Sequence, residues 1–131
     1  MADIHVIRVG VNEDIIESIK TFMHEKQWEK ACILNAIGAV KDLVFAVPSG
    51  MTVPPNLIQY PFEGPGELVS FVGEVMKVEA MDPILKTVYK CTGEYFIHIH
   101  ASAAIGPAVV YGGGFRAGKA FMGLSIFITQ L

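Results

Sequence analysis

One helical stripe followed by a long succession of strand-like segments is the pattern that most restricts how this chain can fold. Ile15, Ile16, Ile19, Phe22 and Met23 recur at helical spacing and form one apolar face. Asn12 is the expected N-cap, and Glu13 and Asp14 put negative charge in the first turn, where the helix dipole favours it. Glu17, Lys20, Thr21 and His24 make the opposite, solvated face, and the helix is expected to end near Gln27. Ahead of it, Ile4 to Val9 reads as a strand that Gly10 punctuates. Behind it come Ala31 to Ile37, stopped by Gly38, and then Leu43 to Val47. The proline-rich stretch Pro48 to Pro61 is a loop with a short edge strand around Leu57 to Gln59. A long strand starts at Glu67 and ends near Glu79, broken by Met81-Asp82-Pro83. Leu85 to Cys91, Tyr95 to Ala101, Val109 to Tyr111 and Ala120 to Thr129 complete the strands. Strand, helix, then a run of strands predicts an α+β domain with a largely antiparallel sheet and a helix over one face.

The 131 residues suffice for one domain, 1–131. Charged residues are 18 % and apolar ones 52 % of the chain, against roughly a quarter charged in an ordinary soluble domain. So little polar surface points to a homo-oligomer. The net charge is −3, only Arg8 and Arg116 are arginines, and no basic patch is visible, which argues against strong binding to DNA phosphates. Cys32 and Cys91 sit in or beside apolar runs and read as buried, reduced thiols. The N-terminal residues lack a signal-peptide pattern. The apolar stretches are broken by Gly and Pro and are too short to span a bilayer. The expected location is therefore the cytoplasm, with no membrane partner.

Chemistry concentrates at His98-Ile99-His100. Side chains alternate along a strand, so both imidazoles point to one side, while Ile97, Ile99 and Ala101 point to the other. Such a pair can reach a single Zn²⁺ or another divalent transition metal, given a third ligand, or it can face polar surface or another subunit. Gly112-Gly113-Gly114 permits unusual backbone geometry or close approach of a chain or ligand; its plainer reading is a turn or bulge between strands. It is neither a Walker loop nor a dinucleotide fingerprint. Arg116 follows the glycines and could meet an anion or a neighbouring carboxylate. Glu67, Glu74, Glu79 and Glu94 lie on or beside strands, and any of them buried near His98 would be a general acid or base. G-x-S-x-G and C-x-x-C patterns are absent.

These residues resemble the PPC (DUF296) family of plants and prokaryotes over essentially the whole chain. Arg8, Gly10, Glu13-Asp14 and the helix Ile15 to Met23 match its opening, and Ala31 to Val40 match its Ala-rich strand. Gly66-Glu67-Leu68-Val69-Ser70-Phe71-Val72-Gly73 matches its middle strand. His98-Ile99-His100, a spacer, and Gly112-Gly113-Gly114-Phe115-Arg116-Ala117-Gly118 match its most specific motif, H-x-H followed by G-G-H-L-x-x-G. Gly114 stands where the family has a third histidine, and Ser125 stands near a family acidic residue. His5 or a glutamate would then be the substitute metal ligand.

The resemblance implies a mixed, mainly antiparallel sheet flanked by helices, similar in fold to acetolactate decarboxylase and assembled as a homotrimer. Gly112, Gly113, Arg116 and Arg8 become candidates for ligand or partner binding. The implied function is a stand-alone DNA-binding or regulatory module without an AT-hook, with no catalytic residue assigned. The alternatives are a metal-dependent small-molecule enzyme or binder on the His98/His100 face, and an assembly scaffold for another protein.

Overall fold

The computed structural model describes residues 3–131. Strand β1 (His5–Val9) leads to helix α1 (Ile15–Lys26), then β2 (Lys30–Ser49), β3 (Asn56–Phe62) and β4 (Gly66–Lys77). A 3-10 turn (Val78–Ala80), helix α2 (Pro83–Val88), β5 (Tyr95–Ile105) and β6 (Val109–Gln130) complete the chain. The strand order is β1-β6-β5-β4-β2-β3, and β2 also pairs with β6. Strands β6, β5, β4 and β2 therefore close into a ring, with β1 added beside β6 and β3 beside β2. Each of these pairings is antiparallel.

Two long, bent strands make the closure possible. Residues 31–47, expected to divide at Gly38, and residues 109–129, expected to divide after Tyr111, are each one continuous strand. The β2–β6 ladder runs from Ala31↔Gln130 to Ala46↔Gly114 through four register shifts. Bulges of this kind bend a strand and increase its twist, so one strand serves two sides of the ring. Gly38 sits at one shift with φ of 145°, where a Cβ would lie 2.3 Å from the Gly123 carbonyl oxygen. Glycine here bends the strand instead of ending it.

Asn35 repairs a second irregularity. The β2–β4 ladder lapses between Ile33↔Gly73 and Ala39↔Glu67. Across that gap the Asn35 Oδ1 accepts from the Phe71 backbone N–H at 2.9 Å and from the Ala36 N–H at 2.9 Å. The side chain thus supplies an acceptor that the neighbouring strand does not.

Phe45, Phe71, Leu43, Ile33, Val75 and Ile126 fill the ring interior, fully buried. Ile15, Ile19 and Met23 of α1 are buried in the same core, as their helical spacing requires. The helix N-cap is Asp14, which accepts from the Glu17 N–H at 2.9 Å. Asn12, two residues earlier, instead takes a left-handed turn with φ of 66° and donates its backbone N–H to the Ala120 carbonyl. The segment Leu85 to Cys91, expected as a strand, starts inside helix α2 (Pro83–Val88). Pro83 is compatible with a first helical turn, and Leu85 and Cys91 pack on a small second cluster of Met76, Met81 and Phe96. That contact overrides the β-propensity of Thr87 and Val88.

Asn35→Ala is expected to destabilise the fold by about 1–3 kcal/mol, because the Phe71 N–H loses its acceptor. Urea unfolding checks this, and an unchanged midpoint would show that the side-chain bridge is dispensable.

Candidate functional site

Strand β5 sorts its side chains by alternation. Tyr95, Ile99, Ala101 and Ala103 are buried in the core, whereas His98 and His100 lie on the outer face, half-buried and exposed respectively. Register brings their neighbours: His98 lies opposite Glu74 of β4, and His100 lies between Val72 of β4 and Gly114 of β6. The two imidazoles stand 5.0 Å apart between ring centroids and nearly perpendicular, at 86°. Val72, Gly73 and Glu74 form with them an open groove of about 280 Å³.

Both nitrogens of His98 have neighbours. Nδ1 is 3.0 Å from Glu74 Oε2, and the Tyr89 hydroxyl is 3.4 Å from Nε2. The carboxylate fixes the ring and favours a proton on Nδ1, leaving Nε2 as the acceptor or ligand nitrogen. Tyr89 and Phe96 pack against the ring, with centroids at 5.1 and 5.5 Å. Tyr89 follows directly on α2, so the helix that the sequence reading misses is what brings a phenol to this site. Of Glu67, Glu74, Glu79 and Glu94, the β4–β5 register places Glu74 opposite His98.

The other candidates fall elsewhere. His5 packs edge-on against Trp28 at 4.9 Å and Phe22 at 6.2 Å, beside α1, and is no substitute ligand at the histidine face. Glu94 pairs with His24 at 3.5 Å. Glu67 pairs in register with Ala104, away from the imidazoles. Among the described residues no three His, Cys, Asp or Glu side chains converge as a metal-holding group. The face therefore offers two imidazoles and a carboxylate already committed to one of them, which is short of a closed tight metal site.

The glycine run lies inside β6, not in a turn between strands. Gly112, Gly113 and Gly114 pair with Ser102, Ala101 and His100, and Gly114 also pairs with Ala46 of β2. A Cβ at Gly112 would lie 2.7 Å from the Ala101 carbonyl oxygen, and one at Gly113 would lie 3.0 Å from that of Ala46. The glycines let β5 and β2 clasp β6 from its two edges. Arg116 lies beyond the last β5–β6 pair, exposed, with no hydrogen bond or ion pair among the described residues. It is the extra residue of a β6 bulge, between Phe115 opposite Phe45 and Ala117 opposite Val44. Arg8 donates to Ser125, its register partner across β1 and β6, and borders a groove with Glu13, Asp14 and Glu17. The two arginines thus occupy separate surfaces.

Fold and site together define a small antiparallel barrel domain with an outward histidine pair. The chain belongs to the Plants and Prokaryotes Conserved (PCC) domain family, whose model matches residues 1–131. It is similar to the plant- and prokaryote-conserved (PPC) protein of Pyrococcus horikoshii at 26 % identity and a TM-score of 0.76, covering 100 % of this chain and 82 % of that one. A metal-containing protein from Archaeoglobus fulgidus shares the fold at 23 % identity and a TM-score of 0.76, over 98 % and 79 % of the two chains. A "putative DNA-binding protein" from Ralstonia eutropha shares it at 12 % identity and a TM-score of 0.74, over 96 % and 76 %. No curated protein matches the chain. No helix among the described residues is long and apolar enough to cross a membrane.

Both thiols are free and half-buried. Burial pushes the Cys91 thiol up from its ordinary range. At pH 7 less of it is thiolate, so iodoacetamide should alkylate Cys91 more slowly than free cysteine, as peptide mass mapping over time would show. Labelling as fast as the free amino acid would contradict this.

Proposed function

We propose that the chain works as a homotrimer, a regulatory binding module in which any DNA contact belongs to the assembly and not to the single chain. The observation that carries this is the outer surface of the barrel. Leu34, Ile37, Val69 and Val72 are exposed on β2 and β4, and Val72 adjoins the histidine face. Leu57 and Tyr60 are exposed on edge strand β3. Exposed apolar side chains clustered on one side of the barrel favour a surface covered by assembly. The DNA-binding part of the reading rests on family membership and on the name of the Ralstonia relative. The net charge of −3 limits it to weak, salt-sensitive contact. Light scattering should give about 43 kDa, three times the chain mass of 14.2 kDa. Gel shifts should show retarded duplex at about 50 mM salt and none at about 200 mM. A monomer mass would remove the trimer, and no shift at low salt with several duplexes would remove direct DNA binding.

A second reading, a metal-dependent small-molecule site, is favoured by one feature. The Glu74 carboxylate on His98 Nδ1 is the arrangement that orients a metal-ligating imidazole. Position 114 decides it, because Gly114 lies directly opposite His100. A Cβ there would sit 3.2 Å from the Ala46 carbonyl oxygen, a tight contact that a small shift relieves. Mass spectrometry of untagged protein should find zinc well below one per chain in the wild type, more in Gly114→His, and none in His98→Ala. Full occupancy in the wild type, lost in His98→Ala, would instead establish a third ligand and move the account towards an enzyme.

A further inference from the structure

A second groove, of about 410 Å³, lies between α1 and the turn leading into β5. Its volume is in the range of small-molecule sites. Lys20 and His24, one helical turn apart, line the α1 wall together with Glu25. Glu94 and Tyr95 form the opposite wall. His24 Nδ1 and Glu94 Oε1 stand 3.5 Å apart, and both side chains are more than half exposed. That separation exceeds a good hydrogen bond, so each group keeps capacity for another partner. Tyr95 is only 8 % exposed, and its buried hydroxyl makes no hydrogen bond of good geometry, with the Glu94 carboxylate as its neighbour. Leaving such a group unpaired is costly, and a bound molecule reaching it would recover that loss.

The chemistry of the walls narrows the ligand. Burial first, then the negative charge of Glu94 and the approach of its carboxylate to the hydroxyl, push the Tyr95 phenol up from its ordinary range. The hydroxyl is therefore a donor whose neighbouring acceptor is the Glu94 carboxylate, and an ammonium that draws Glu94 to itself leaves the hydroxyl free for a carboxylate of the same ligand. An anion alone would meet Glu25 and Glu94, and a cation alone would meet Lys20, which from the rim of the groove pairs with Glu17 at 3.5 Å. A molecule carrying both charges a few bonds apart satisfies both sets. We propose that this groove binds a free α-amino acid as its zwitterion, the carboxylate facing Lys20, His24 and the Tyr95 hydroxyl and the ammonium facing Glu94 and Glu25. The site is distinct from the histidine face and does not depend on the oligomeric reading.

The test is thermal unfolding of the full chain with each of the twenty standard amino acids at about 10 mM, followed by calorimetric titration of any that stabilises it. At least one amino acid should raise the melting temperature, while its N-acetyl and carboxamide derivatives should not. Tyr95→Phe removes a hydroxyl whose one charged neighbour is the exposed Glu94 carboxylate, so its melting temperature without ligand should stay close to that of the wild type. Its affinity for the amino acid should fall about tenfold or more. Glu94→Gln should weaken binding similarly. No stabilisation by any amino acid would overturn the proposal. So would equal stabilisation by the N-acetyl derivative, or unchanged affinity in both variants.

Discussion

The ladder between β2 and β6 is the constraint on which the rest of the molecule depends. Without it, β6, β5, β4 and β2 would form an open sheet with two long unpaired edges, an arrangement prone to aggregation. With it, the strands enclose a single core, and α1 packs against that core through Ile15, Ile19 and Met23. Closure demands strands that bend, and the bends have identifiable causes. Gly38 passes within reach of the Gly123 carbonyl where no Cβ fits, and Asn35 lends its side chain where the β4 ladder lapses. Gly112 to Gly114 allow β6 to be clasped by β5 and β2 together.

The histidine face follows from that closure. Because the ring interior is filled by the other side of β5, His98 and His100 can only face outward, between Glu74 and Val72 on one side and Gly114 on the other. Glu74 orients His98, and Tyr89 reaches it because α2 folds its chain back over Phe96. The result is a polar cluster beside exposed apolar side chains. On the proposed reading, this surface is completed by another molecule. The glycine at position 114 is consistent with this, since it brings the backbone close while offering no ligand.

Much of this was legible in the sequence, and what was not has physical reasons. The helix Ile15 to Met23 and the outward pairing of His98 with His100 follow from periodicities of 3.6 and 2 that tertiary contacts left intact. The unity of β2 and β6 did not follow, because glycine inside a bent strand carries the same local signature as glycine in a turn. Asn12 and Asp14 are both good capping residues, and the bonds of Asp14 to the Glu17 N–H and of the Asn12 N–H to Ala120 are what make Asp14 the cap. Helix α2 and Tyr89 were hidden by a β-branched segment whose short helix is held by long-range packing on Met76 and Phe96. Choosing Glu74 among the glutamates required the β4–β5 register, and register is a property of paired strands, not of either one alone.

Native-state hydrogen exchange resolved by residue would test the closure most directly. If the β2–β6 ladder holds the fold, the amides of residues 31–37 and 124–128 should be the slowest to exchange. They should open together, through global unfolding, while edge strand β3 exchanges well before them. Amides of β6 that exchange as early as those of β3, or that open independently of their β2 partners, would contradict the closed ring as the organising constraint.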